Sequence, residues 1–106
     1  MNNNTGNGIN KECWQSVNMC LSHFPHIKEA VLFGSRAKGT YKEFSDVDIA
    51  LKGNDVNTED LLMLQTEIDD LLLPYEFDFC IYDRLSNSKL KEHIDRRGVT
   101  VYKSQT

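Results

Sequence analysis

Apolar residues along the chain fall into a series of stretches whose spacing switches between three-to-four and two. Between 9 and 24, Trp14, Val17, Leu21 and Phe24 recur at three- and four-residue steps, with Cys13 and Cys20 alongside. That period predicts an amphipathic helix, closed by Pro25. Ile27 to Phe33 predicts a strand, apolar on both faces towards its end. Further on, Val47, Ile49 and Leu51 alternate with Asp46, Asp48 and Ala50, the period of a half-exposed strand. Asn57 opens a second helix, with Glu59 and Asp60 in the first turn, where the helix dipole favours them. Leu61, Leu64, Ile68, Leu71 and Leu72 form its apolar stripe and Pro74 ends it. From Glu76 to Tyr82 the period returns to two, with Phe77, Phe79 and Ile81 on one face and Asp78, Cys80 and Tyr82 on the other. A last short helix is expected from about Ser88 to Arg97, stopping at Gly98 as C-cap, before an extended Val99–Tyr102.

The predicted order is αββαβα followed by a short end strand. Single-sided strands beside amphipathic helices imply an α+β fold, a small mixed β-sheet with helices packed on one face. At 106 residues the expectation is a single domain around one core, spanning 9–106. Residues 1–8, Met-Asn-Asn-Asn-Thr-Gly-Asn-Gly, carry too little apolar surface to pack and are expected as a disordered tail.

Charge and composition narrow the partners. The chain is 40% hydrophobic and 26% charged, with a formal net charge of -4 at pH 7. Bulk nucleic-acid binding runs on phosphate neutralisation by basic residues, so it is not expected here. No apolar run approaches the roughly 18 residues of a membrane span, and the start lacks a signal-peptide pattern. Three cysteines, Cys13, Cys20 and Cys80, are an odd number without that pattern and imply reduced thiols in the cytoplasm.

The carboxylates change the picture most. Residues i and i+2 of a strand point the same way, roughly 6.5 to 7 Å apart. Asp46 and Asp48 therefore share the face opposite Val47, Ile49 and Leu51, and Asp78 stands in the same relation to Phe77 and Phe79. If these strands are neighbours, three carboxylates converge. Like charges that close raise each other's pKa, and a cation is the usual resolution. Carboxylates without His or Cys suit a hard ion, Mg²⁺ above all, which completes its shell with water and substrate phosphates.

Gly34-Ser35 supplies the complementary half. Gly34 lies at the end of a buried strand, where a missing Cβ lets a backbone or a phosphate approach. The following main-chain N–H groups and the Ser35 hydroxyl suit an anion, and Arg36 and Lys38 add positive charge. Each part also has a plain reading: single Asp residues are mostly solvated surface groups, and Arg36 and Lys38 could be surface charges beside an acidic patch. The conjunction is what points to nucleotide chemistry.

These residues carry a resemblance. Phe33-Gly34-Ser35, ten intervening residues, then Asp46-Val47-Asp48-Ile49 resembles the signature of the DNA polymerase β-type nucleotidyltransferase superfamily. More closely, GSRAKGTYKEFSDVDIAL, with the later FDFCIYD and IDRRGVTVY, resembles the minimal nucleotidyltransferases, over roughly Trp14 to Tyr102. The resemblance implies a polymerase β-like nucleotidyltransferase fold. It also implies that Asp46 and Asp48 hold two Mg²⁺ ions, that Asp78 holds one and activates the acceptor hydroxyl, and that Gly34 and Ser35 grip the β,γ-phosphates. Arg36 joins them as a candidate nucleotide-binding residue.

The activity implied is transfer of an NMP, AMP from ATP as first choice, onto a hydroxyl, by an in-line displacement that expels pyrophosphate. One core leaves room for the nucleotide half-site but not for an acceptor-binding domain. The acceptor is therefore expected on another polypeptide. In the family resembled this is commonly a small helical HEPN-type protein, the two forming a toxin–antitoxin pair in which the transferase adenylylates a tyrosine. Two alternatives stay open: a nucleotide-binding module that neutralises its partner by contact, and transfer to a small molecule. The oligomeric state, a homo-oligomer among the options, stays open as well. Cys20, His23 and His26 show a CxxHxxH spacing, but Pro25 breaks the helix within it and no fourth zinc ligand is evident. Tyr75 and Tyr82 are expected to be packing residues.

Overall fold

The structure, a computed structural model, describes residues 8–39 and 46–104. The tail expected over 1–8 lies outside the described residues except for Gly8, and so do residues 40–45 of the spacer before Asp46. Helix α1 (Lys11–Leu21) is capped by Asn10, whose side chain accepts from the N–H of Cys13 at 2.8 Å. It is followed by β1 (Glu29–Phe33), a single turn α2 (Ser35–Lys38), β2 (Val47–Lys52) and α3 (Thr58–Asp70). Then come β3 (Phe77–Ile81), a 3-10 turn at Tyr82–Arg84, α4 (Ser88–Arg97) and β4 (Val99–Lys103).

Among the described residues four strands form one mixed sheet in the order β3-β2-β1-β4. Strand β1 lies antiparallel to both β2 and β4, whereas β2 and β3 run parallel. The parallel pair follows from the chain between them, because α3 carries the strand direction back before β3 begins. One face of the sheet presents Ala30, Leu32, Val47, Ile49, Leu51, Phe77, Phe79 and Ile81 to α1 and α3 in one continuous core. Val17, Leu21, Leu64 and Ile68 are the helical side of that contact. This is the helix layer that the single-sided strands predict.

The structure adds a partial cover on the other face. Ile94 of α4 packs on Val31 and Ala50, with Phe33, Cys80, Tyr82, Leu85 and Leu90 around them. Ala50 makes room for it: a larger residue in the middle of β2 would hold α4 off. The end of α3 also differs from the apolar pattern. The helix stops at Asp70, and Leu71 and Leu72 are exposed, Leu72 in a left-handed turn at φ 53°. Pro74 disfavours helical conformation just before it, so the chain turns early and those two side chains leave the stripe. No helix among the described residues is long and apolar enough to cross a membrane.

Candidate active site

The site begins with strand register. Asp48 on β2 is the parallel partner of Asp78 on β3, and Phe33 on β1 is its antiparallel partner. Neighbouring strands lie about 4.8 Å apart, so the Asp48 and Asp78 carboxylates stand side by side on the face opposite the main core. Asp46 precedes β2 and is exposed, Asp78 is exposed, and Asp48 is half-buried. Period-two alternation thus places Asp48 and Asp78 where the sequence puts them, and register makes them neighbours.

The electrostatic consequence is concentrated on the middle residue. Burial first, then the charges of Asp78 and Asp46, raise the pKa of Asp48 above the ordinary carboxylate value. The Cys80 thiol, one strand position further along, is pushed up to about 11 by burial, then by Asp78 and Asp48. It is held as a neutral thiol and not as a nucleophile. A patch that resists its own negative charge favours a cation, and its oxygen-only donors suit a hard one. Among the described residues no three His, Cys, Asp or Glu side chains close around a single ion.

At the end of β1 the chain turns through Gly34 at φ 80°, ψ -154°, directly over the second strand. A Cβ built on Gly34 would lie 2.6 Å from the Oδ2 of Asp48. Its Cα therefore faces the carboxylate, and the sequence motif is closed in space by contact between its two halves. The half-buried Ser35 begins α2, and Gly39 ends that turn at φ 80° with its N–H bonded to the Ser35 carbonyl.

Arg36, the third candidate nucleotide-binding residue, is buried. It is 3% exposed, and its guanidinium lies over the Tyr75 ring, 5.3 Å from the centroid. Tyr75 in turn donates its hydroxyl proton to the Gly8 carbonyl at 3.1 Å. This contact ties α2 to the segment before β3, and the long apolar stem and flat head of Arg36 suit it. Lys38 is the exposed cation of that turn.

One neighbour was not legible in the sequence. His93 of α4 accepts the N–H of Gly34 on its Nε2 at 3.2 Å, and its ring meets the Phe33 ring edge-on at a centroid distance of 6.4 Å. Fifty-nine residues separate the partners, and no motif signals the contact. The other histidines of interest have structural partners: His23 Nδ1 lies 2.8 Å from Glu67 and His26 Nδ1 lies 2.8 Å from Asp60. Both tie the end of α1 and the approach to β1 onto α3.

The model of the family "Polymerase beta, Nucleotidyltransferase" matches residues 15–106. No protein of curated function matches the chain by sequence. Among solved structures, a toxin–antitoxin complex with AMP-PNP contains a chain that superposes with a TM-score of 0.70 at 21% identity, over 87% of this chain and 74% of that one. An MntA–HepT toxin–antitoxin complex gives 0.65 at 18% identity, over 90% and 74% of the two chains. A complex of a tri-AMPylated Shewanella oneidensis HEPN toxin with its MNT antitoxin gives 0.65 at 16% identity, over 90% and 73%. At these identities the likeness is one of fold.

Proposed function

We propose that this chain, which belongs to the polymerase β nucleotidyltransferase family, transfers AMP from Mg²⁺-bound ATP to a hydroxyl of a helical HEPN-type partner protein. The observation that carries the reading is the pairing of Asp48 with Asp78 across β2 and β3, with Gly34 seated on the Asp48 carboxylate. Family membership supports the reaction class. The AMPylated toxin in one structural neighbour and AMP-PNP in another support the nucleotide and the acceptor.

Placement supports a division of labour. Asp46, Asp48 and Asp78 would between them hold two divalent ions, Asp78 only one of them, and the ions would supply positive charge against the triphosphate. Gly34 lets the turn close against Asp48, and Ser35 offers a hydroxyl to a phosphate oxygen. The acceptor oxygen attacks the α-phosphorus, the bond from that phosphorus to the bridging oxygen breaks, and pyrophosphate leaves. Asp78 is the carboxylate positioned to take the proton of the attacking hydroxyl, because it lies exposed at the outer strand while Asp48 is half-buried.

Asp78→Asn separates chemistry from contact. It is nearly isosteric, so the variant keeps the shape presented to a partner. With a HEPN-type toxin co-expressed, the wild-type chain should raise the toxin's intact mass by one or more AMP units, and Asp78→Asn should bind it without that increment. Loss of the base alone typically costs 10² to 10⁴ in rate. A toxin that stays unmodified by wild type, yet is silenced equally by both forms, would sink the transfer reading and favour neutralisation by contact.

A further inference from the structure

We infer that His93 is a positioning residue of the nucleotide site: its imidazole fixes the Gly34 backbone in the orientation the triphosphate requires. The inference rests on the nucleotidyl-transfer reading and extends it to a side chain outside the family signature. A backbone N–H can only donate, so in the 3.2 Å contact Nε2 of His93 is the acceptor, and the proton of the neutral ring sits on Nδ1. The geometry thereby assigns the tautomer as well as the contact.

Gly34 needs such a hold. At φ 80° and ψ -154° it occupies a region that L side chains rarely adopt, and glycine is the residue with most freedom to leave it. No side chain caps α2 at this position, and the turn is only four residues long. The Asp48 carboxylate limits Gly34 from one side by bulk, since a Cβ there would come within 2.6 Å of Oδ2. His93 limits it further by a directed bond. The ring is itself fixed: it meets Phe33 edge-on, and Ile94 beside it is buried against Val31 and Ala50. Helix α4 therefore reaches the Gly-Ser turn through one side chain and locks it over Asp48.

Two acceptor-free variants and one acceptor-bearing variant test this. His93→Phe keeps an aromatic ring on Phe33 but cannot accept a proton, and His93→Leu removes the acceptor with a different shape. His93→Gln retains an acceptor at similar reach. The first readout needs no nucleotide: the Gly34 amide proton resonance, with the ring nitrogen shifts of His93 recorded at alkaline pH. Wild type should show an unprotonated Nε2, and the amide resonance should move in Phe and Leu but stay close to wild type in Gln. The second readout is affinity for Mg²⁺ with a non-hydrolysable ATP analogue, together with KM and kcat for ATP in partner modification. Loss of one restraining hydrogen bond should weaken binding and raise KM about three- to tenfold in Phe and Leu, with kcat within about twofold and Gln near wild type. An unmoved Gly34 amide would show that the bond is absent and overturn the inference. A moved amide with unchanged or tighter nucleotide binding would also overturn it, since His93 would then be irrelevant to the turn or a competitor for its amide. Should wild type bind no nucleotide, the functional reading fails and this inference falls with it, whatever the amide shows.

Discussion

At Gly34 a residue is constrained twice, by dihedral and by space. Gly34→Ala must hold an L side chain at φ 80° and push its Cβ into the Asp48 carboxylate. The expected cost is about 1–3 kcal/mol of stability, read as a lower melting temperature, with loss of nucleotide binding. Ser35→Ala should leave the fold intact and weaken Mg²⁺-ATP binding by about 1.5–3 kcal/mol, the range for a hydrogen bond to a charged group, measurable by calorimetry. Asp48 carries a pH signature. Its folded-state pKa is raised by burial, then Asp78, then Asp46, so the folded form binds the proton more tightly than the unfolded chain does. The stability this contributes is fully present below the ordinary Asp value near 4 and is lost as pH rises through the raised value. Asp48→Asn removes that loss. In the absence of divalent cation at neutral pH, its melting temperature should equal or exceed that of wild type, while nucleotide transfer disappears.

The elements show why some sequence signals translate and others change meaning. Asn57 and Asp60 form a full capping box at the start of α3, and His26 holds the same Asp60 carboxylate. Asn57→Ala should cost about 1 kcal/mol in denaturant unfolding, with the active face untouched because α3 lies on the opposite side of the sheet. Gly98 does end α4, and its N–H bonds to the Ile94 carbonyl. Its backbone, however, is extended at φ -66°, ψ 151°, not left-handed. Glycine is required there by crowding: a Cβ would lie 2.4 Å from both the Ile94 carbonyl oxygen and Val31 Cγ1. Gly98→Ala should therefore destabilise by about 1–3 kcal/mol, as overpacking does. It should also disturb the seating of α4 on the active face, seen as a shifted His93 side-chain resonance.

Across the whole molecule, the sheet separates two jobs. One face is continuous core under α1 and α3, and the other carries the carboxylates with α4 covering only its Val31–Ala50 side. A cation and a nucleotide at the proposed site would therefore leave the main core undisturbed. At about 100 times its Kd, Mg²⁺-ATP should add about 2.7 kcal/mol of stability. For a domain of this size that is a rise of about 10 °C in melting temperature. No rise with Mg²⁺-ATP would count against the whole site, whereas a rise that Asp46→Asn abolishes would place Asp46 among its ligands.

The sequence by itself was sufficient for the elements and for nominating the candidate site residues. Periods of two and 3.6 are local, and Gly34-Ser35 with Asp46 and Asp48 is a motif within one stretch, joined by Asp78 through its alternation with Phe77 and Phe79. Strand pairing, by contrast, joins residues far apart along the chain. Only the tertiary structure set Asp48 beside Asp78, put α4 over Ala50, turned Arg36 inward onto Tyr75 and brought His93 to the Gly34 amide. Arg36 shows the limit most plainly. A cation next to Gly-Ser carries the same local signal whether it faces solvent or an aromatic ring, because the Tyr75 that decides between them lies 39 residues along the chain.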